Sequence, residues 1–398
     1  MAPPSPDLLV VGAGLAGGLL ALEAAALGAR VTLVAAEPMA TAISYGGVPW
    51  WAGAADRLGL LQATAPGRWR ALEACHGPLG HGPAELWLHW PQGQDPSQAL
   101  AGLAALPHGP EFQWLEPQQW RREAPLLAEA AVGGFVALPY GRVDPFAFQL
   151  GLDRALDRLG VSRGRQRLER LISSHGQVLG GVCPKGQQLL AGQTVLCAGA
   201  ASGALLAPLG VELPLLSFSW AAVVALAGFD LGGPRILMPL QGKRALRELQ
   251  GPARGLGGDG GPDLVCDPGL APWGEGLLLG QTSVFASALD QNPGLPPEEV
   301  PVRRGLETAA AQLLPPLSPR QLAQAPLLQQ PVAYSRDGRP LVGPLASLPG
   351  LAVFTGFAGP FALAPVLAPL LARALLGGEA DRRELEALEL SPDRPLAG

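Results

Sequence analysis

The sequence predicts an α/β fold whose first unit is a strand, a glycine turn, a helix and a second, parallel strand. Three observations carry this. Leu8 to Val11 form an apolar run of strand length, and Gly12, Gly14 and Gly17 follow as G-x-G-x-x-G. A helical pattern from Leu15 to Leu27 then ends at Gly28 before the strand-like Arg30 to Val34. The block from Tyr334 to Gly378 reads as turn, strand, glycine turn and long helix, which mirrors the opening.

Each piece of the opening unit has a physical reason. Gly12 permits the tight turn, Gly14 lets backbone amides approach a pyrophosphate, and Gly17 lets the helix press against the strand. The helix N-terminus adds unpaired N–H groups and a positive dipole end. With strand, helix and strand around them, the glycines predict dinucleotide binding. The acid that would hold a ribose hydroxyl belongs at the end of the second strand, where this chain has Ala35 and Ala36. Glu37 is the carboxylate next in line. Either it reaches back from the loop, or backbone and water hold the ribose.

Further along, Thr41 to Gly53 is a glycine-rich loop. Helical pattern appears around Arg68 to Ala74 and from Glu116, and strand pattern at Glu85 to Trp90 and Phe112 to Leu115. "GRVDP", Gly141 to Pro145, introduces a helix to about Leu159. Gln193 to Ser202 is an apolar strand ending in Ala198 and Gly199, a place where backbone can approach a ligand. Alternation marks strands at Leu215 to Leu226 and Leu277 to Gln281. Leu351 to Ala372 carries no charge and is long enough to span a bilayer, but its prolines and glycines would interrupt such a helix. A buried strand, turn and helix is expected there instead. Flexibility is expected at Gln250 to Pro262.

Composition excludes several classes. At 398 residues the chain suits two domains or one large interleaved unit, and 48% hydrophobic against 15% charged residues implies a large core under a sparsely charged surface. A net charge of −5 gives no reason to expect nucleic acid or an anionic membrane as partner. Cys75, Cys183, Cys197 and Cys266 form no C-x-x-C pair, which fits isolated thiols in a reducing cytoplasm. "MAPPSPD" has neither the basic region nor the apolar core of a signal peptide. Gly and Pro between His76, His81 and His89 destroy helical ligand spacing, so no metal is expected. No G-x-S-x-G elbow supports a serine hydrolase.

Six stretches in order carry a family resemblance over nearly the whole chain. They are the opening glycines, the small-residue loop Ser44 to Gly47, "LPYGRVDPFAF", "TVLCAGAASGALLAPLGVELPL", "SRDGRPLVGPL" and "FTGFAGPFALAP". Together they resemble the FAD-dependent D-amino-acid, glycine and sarcosine oxidase superfamily. The resemblance implies a Rossmann-like FAD-binding domain from residues 1–57, 140–212 and 330–398, and an antiparallel-sheet substrate domain from 58–139 and 213–329. It implies oxidation of a C–N bond of a small amine or amino acid by hydride transfer to the flavin. Carried across, Gly12, Gly14 and Gly17 would hold the pyrophosphate, and Ser44, Gly46 and Gly47 would line the flavin or its ribityl chain. Leu168 would lie near the adenine, and Ala198 and Gly199 near the diphosphate. Asp337, Gly338, Gly343, Gly356, Phe357 and Ala358 would close over the isoalloxazine ring.

Departures from the family pattern shape the functional expectation. Amino-acid oxidases of this family place an arginine about five residues before the turn aspartate, where a two-pronged contact to the substrate carboxylate is worth on the order of 2–5 kcal/mol. Here that position is Val332, with Arg336 and Arg339 as alternatives on the turn. Pro360 stands where the family usually has glycine. No cysteine lies near Tyr334 or Phe357, so FAD is expected to be noncovalent. Tyr45, Trp50, Trp51, Trp220 and Tyr334 are candidates to line the substrate pocket, with Tyr45, Trp220 and Tyr334 closest to the chemistry and Tyr334 able to donate a hydrogen bond. No second strand, glycine turn and helix unit exists for NAD(P)H, so electrons are expected to leave to oxygen, a quinone or a protein carrier. A flavin-binding protein without amine chemistry, and a FAD-dependent dehydrogenase of a hydroxy compound, are the alternatives.

Overall fold

The computed structural model describes residues 6–36, 39–250, 263–286 and 292–395. Glu37 and all but the first residue of the Gln250 to Pro262 segment lie outside the described residues.

The opening strand, Leu8–Val11, stands inside a six-stranded sheet. Its order is Leu341–Pro344, Leu351–Thr355, Gln193–Leu196, Leu8–Val11, Val31–Val34, Ser162–Gly164. All neighbours are parallel except the first pair. Leu9 pairs with Thr32 on one side and Thr194 on the other. Such a central parallel strand is covered on both faces, which is why it reads as a continuous apolar run. The helices Leu15–Ala26 and Pro360–Leu375 cover one face side by side, burying Leu19, Leu20, Leu367 and Leu371 completely. A small sheet of Arg170–Ser174, Gln177–Val182 and Gln188–Leu190 covers the other through Leu168, Leu171 and Val178.

A nine-stranded, mostly antiparallel sheet is built from the remaining strands. Leu327–Ser335, Leu216–Ala227, Gly276–Phe285, Leu264–Trp273 and Arg235–Pro239 lie side by side, followed by His81–Pro91 and Val132–Val143. Gly47–Val48 and Gln113–Leu115 both pair with Val132–Val143. The first expected segment, 1–57, therefore supplies strands to both sheets. Helix Glu299–Leu313 lays Val302, Leu306, Ala309 and Leu313 on the large sheet. Its Gly305 marks the contact, because a Cβ there would come within 2.5 Å of Thr282 Oγ1.

The uncharged stretch Leu351 to Ala372 divides into the strand Leu351–Thr355, a glycine turn and the first turns of the helix Pro360–Leu375. No helix among the described residues is long and apolar enough to cross a membrane. Two prolines sit inside this last helix, Pro365 and Pro369, and neither can donate to the carbonyl four residues back. The helix Ala65–His76 supplies both missing donors. Trp69 Nε1 donates to the Phe361 carbonyl at 2.8 Å, and Arg68 Nε donates to the Pro365 carbonyl at 3.2 Å. Arg68 also pairs with Glu23 of the opening helix, so one side chain ties three helices together.

Trp69 is fully buried. Trp69→Phe keeps an aromatic ring but leaves the Phe361 carbonyl without a donor, and the expected cost is about 1–3 kcal/mol. Urea unfolding of the two proteins checks this. A change under about 0.5 kcal/mol would mean that the carbonyl finds another donor.

Candidate active site

A cavity of about 990 Å³ opens between the two sheets. At one end it is lined by Gly12 to Ala16, by Val34 to Ala36 and by Leu168, Ala198 and Gly199. The large sheet contributes Ala221, Val223, Ile236, Met238 and Gln330 to Ala333. Gly356 to Phe361 complete the wall.

The opening turn is held in shape by close approach. Gly12 has φ +112°, and a Cβ on it would lie 2.2 Å from the Cys197 carbonyl oxygen. A Cβ on Gly17 would fall 1.8 Å from the Gly12 carbonyl oxygen, so the helix rests on the turn itself. Gly14 differs: its φ is −68°, and a Cβ would meet only Thr41 Oγ1, at 3.1 Å. The Thr41 hydroxyl accepts a hydrogen bond from the Leu15 amide at 3.0 Å. No side chain of Gly14 can cap the helix, and its first turn has N–H groups without intrahelical acceptors.

A second helix start lines the same cavity. The strand Leu351–Thr355 turns through Gly356, φ +75°, to Gly359 and the helix Pro360–Leu375, which also lacks a side-chain cap. Two positive dipole ends therefore share one cavity, an arrangement that favours an anionic ligand.

Most of the residues expected from the sequence meet here. Gly12, Gly14, Ser44, Tyr45, Gly47, Leu168, Ala198, Gly199, Gly356, Phe357 and Ala358 all line the cavity. The Ser44 hydroxyl accepts the Gly46 amide at 3.1 Å, and a Cβ on Gly47 would strike the ring of Tyr140. Gly17 and Gly46 stand behind the lining as spacers. A Cβ on Gly46, φ +75°, would lie 1.9 Å from the Val143 carbonyl oxygen.

Asp337, Gly338, Gly343, Trp220 and Tyr334 do not line the cavity. Asp337 is engaged by Arg394, whose Nε and Nη2 donate to its two oxygens at 2.8 and 2.9 Å. The Ser335 hydroxyl and the Arg339 amide donate to it as well. Gly338, φ +75°, completes that turn, and Gly343, φ +128°, lies beside Pro392. Trp220 is on the opposite pleat from Ala221 and Val223, and its Nε1 donates to the Pro293 carbonyl at 3.2 Å. Tyr334 packs edge-on against Phe285, with ring centroids 6.1 Å apart. Trp51 packs against Tyr140, and Trp50 lines a smaller neighbouring cleft.

Val332 lines the cavity, whereas Arg336 and Arg339 are held outside it. Arg339 pairs with Asp56 at 2.5 Å, and Arg336 donates to the Pro214 carbonyl at 3.4 Å. The charged residues on the lining are Arg167, Glu169, Arg244 and Asp267, and no described histidine or lysine joins them. Burial pushes the phenols of Tyr45 and Tyr140 well above their usual range, so both remain neutral donors. Thr41, Tyr140, Arg167, Arg244 and Asp267 are lining residues that sequence reasoning missed. Tyr140 and Thr41 lay inside stretches already singled out, but nothing local marked which side chain faces inward.

The family whose description is "DAO: FAD dependent oxidoreductase" matches residues 7–374. The chain belongs to this family. A glycine oxidase from Pseudomonas aeruginosa is 27% identical, with 94% of this chain and 96% of that protein covered. Among solved structures, L-proline dehydrogenase from P. horikoshii superposes with a TM-score of 0.71 at 15% identity, covering 98% and 97% of the two chains. Glycine oxidase from Geobacillus kaustophilus superposes with a TM-score of 0.70 at 20% identity, covering 99% and 100%. The fold is shared with these enzymes.

The chain is thus a FAD-dependent oxidoreductase, and its cavity suits FAD on its own terms. The volume is at the upper end of ligand pockets, Gly14 leaves room beside the uncapped helix, and apolar walls continue beyond it. Ala35 and Ala36, which follow the strand Val31–Val34, also line the cavity.

Asp337 yields a prediction about acid stability. Burial alone would raise its carboxyl, but Arg394, Ser335 and the Arg339 amide together bring it down to about 2. A depressed carboxylate stabilises the fold above its ordinary pKa of 3.8, and that contribution is lost as pH falls from about 4 to about 2. Its side chain is 25% exposed, so the shift converts to about 2 kcal/mol at neutral pH. Asp337→Asn is expected to lose this at pH 7 and to show a flatter decline between pH 4 and 2, as followed by urea unfolding.

Proposed function

We propose that this enzyme oxidises a C–N bond of a small amine or amino acid, with electrons leaving to oxygen, a quinone or a protein carrier. The observation that carries the reading is the composition of the large-sheet wall. Ala221, Val223, Ile236, Met238, Val332 and Ala333 are apolar, Gln281, Gln330 and Asp267 are its polar members, and Tyr45 and Tyr140 are held neutral. Such a wall can orient a small substrate, and among the described residues it has no histidine or lysine for proton abstraction. Hydride transfer needs little more from the protein. The names of the similar proteins, glycine oxidase and L-proline dehydrogenase, agree with an amino-acid or amine substrate.

When bound, FAD supplies the acceptor for the hydride that leaves the substrate carbon. In this reading Gly12, Gly14, Ala198, Gly199 and the first-turn amides hold its pyrophosphate, with the Thr41 hydroxyl beside them. Leu168 lies against the adenine, Ser44 and Gly47 line the ribityl chain, and Gly356 to Ala358 border the ring. The N-terminus of Pro360–Leu375 then favours negative charge on that ring. Burial pushes the Cys197 thiol up, which keeps it unreactive and agrees with noncovalent FAD. The four cysteines are free, in keeping with a cytoplasmic setting.

Two experiments test the reading. Gly14→Val has an allowed backbone and one close neighbour, so the FAD-free protein is expected to melt within a few degrees of the original. Its FAD content, read as flavin absorbance per protein, is expected to fall about tenfold or more; full loading would remove Gly14 from the pyrophosphate site. Anaerobic addition of glycine, sarcosine, proline and simple amines to the FAD-loaded protein should bleach the flavin with at least one compound. NADPH alone should leave it oxidised. Bands that persist with the whole panel would overturn amine oxidation and favour a flavin-binding role.

A further inference from the structure

The strand Leu327–Ser335 brings Gln330 to Ala333 to the cavity and no cation with them. The cavity does have Arg244, on a helix that follows a different strand of the large sheet. Three strands separate Leu327–Ser335 from Arg235–Pro239, the strand that leads into the helix Lys243–Gln250 carrying Arg244. Asp267 fixes the start of that helix, accepting the Lys243 amide at 2.8 Å and the Arg244 amide at 2.9 Å. Glu248, buried one turn on, accepts from Arg244 Nη1 at 2.7 Å. The Nε and Nη2 groups of Arg244 have no acceptor among the described residues. Arg167, the other cation on the lining, neighbours Leu168 at the end where the glycine turn lies.

We propose that Arg244 is the carboxylate-binding residue of this enzyme, so that the substrate is an amine bearing a carboxylate that is held from the Arg235–Pro239 side of the cavity. This rests on the amine-oxidation reading and deepens it. Glu248 consumes one donor of the guanidinium and holds its stem, which leaves a fork of two adjacent N–H groups of the kind that binds a carboxylate in two-pronged fashion. A lysine has no such fork. Asp267 is a positioning residue, since it sets where the Arg244 backbone leaves the sheet.

The test uses FAD-loaded protein and acetate as the probe, with propylamine as a control that has no carboxylate, and reads the shift of the flavin absorbance bands. Acetate is expected to bind, with a Kd raised about tenfold or more in R244M and by a smaller factor in R244K, while the propylamine response is unchanged. The double variant R244M/E248Q, in which no buried carboxylate is left alone, should behave like R244M and guards against misfolding. Equal acetate affinity in the original protein and the double variant overturns the proposal, as does a failure of acetate to bind at all. The two readings fail separately. If glycine, sarcosine or proline bleaches the flavin with the same half-saturating concentration in R244M as in the original, amine oxidation stands and Arg244 falls. If acetate binding depends on Arg244 but no compound bleaches the flavin, the carboxylate site stands and amine oxidation falls.

Discussion

Gly12 passing against the Cys197 carbonyl is the constraint on which the rest of the molecule depends. With a Cβ projected 2.2 Å from that oxygen, no side chain can occupy the position, and the turn can take only the path seen. Gly17 resting on Gly12 then sets the height of the opening helix above the sheet. That helix is the surface against which Pro360–Leu375 packs. The opening helix start is therefore placed by two glycines and one backbone carbonyl, and the second helix start follows from packing against that helix.

The large sheet solves a different problem. Its cavity wall gathers short segments from distant parts of the chain, and most of the side chains it turns inward are apolar. Among the described residues, charge enters through Asp267 on the strand Leu264–Trp273, through Arg244 at the helix start it fixes, and through Arg167 and Glu169 beside the small sheet. A buried wall of this kind strengthens each remaining electrostatic contact, because little water competes for it. The dearth of charge in the sequence thus reappears as a property of the site.

What could be read from the sequence was what is local. The opening unit and the final strand, turn and helix were legible because an apolar run, a glycine requirement and a helical period are all present within a few residues. Asp144 before Pro145 announced a helix start, and its carboxylate does accept the Phe146 and Ala147 amides. The glycine-turn half of the site was legible for the same reason. Asp337 was not, because the residue that claims it, Arg394, comes much later in the chain and carries no pattern. Trp220 failed by one step of strand parity, since its neighbours Ala221 and Val223 are the ones on the cavity side. Helix Glu299–Leu313 has a clear apolar stripe in hindsight, but it follows a proline-rich entry that obscures its start. Arg244 lies on a helix brought to the site by Asp267 and by strands paired far apart in sequence.

The prolines of the last helix have a consequence for how the molecule loosens. An ordinary helix keeps its own ladder when a neighbour drifts away, whereas this one borrows two rungs from Trp69 and Arg68. Ala65–His76 and the first half of Pro360–Leu375 are thereby fused into one cooperative unit, and Glu23 extends the unit to the opening helix. Local opening at either helix start facing the cavity must then be felt at the other. The two helix starts that line the cavity are thereby tied through one set of side chains, even though most of the chain separates them.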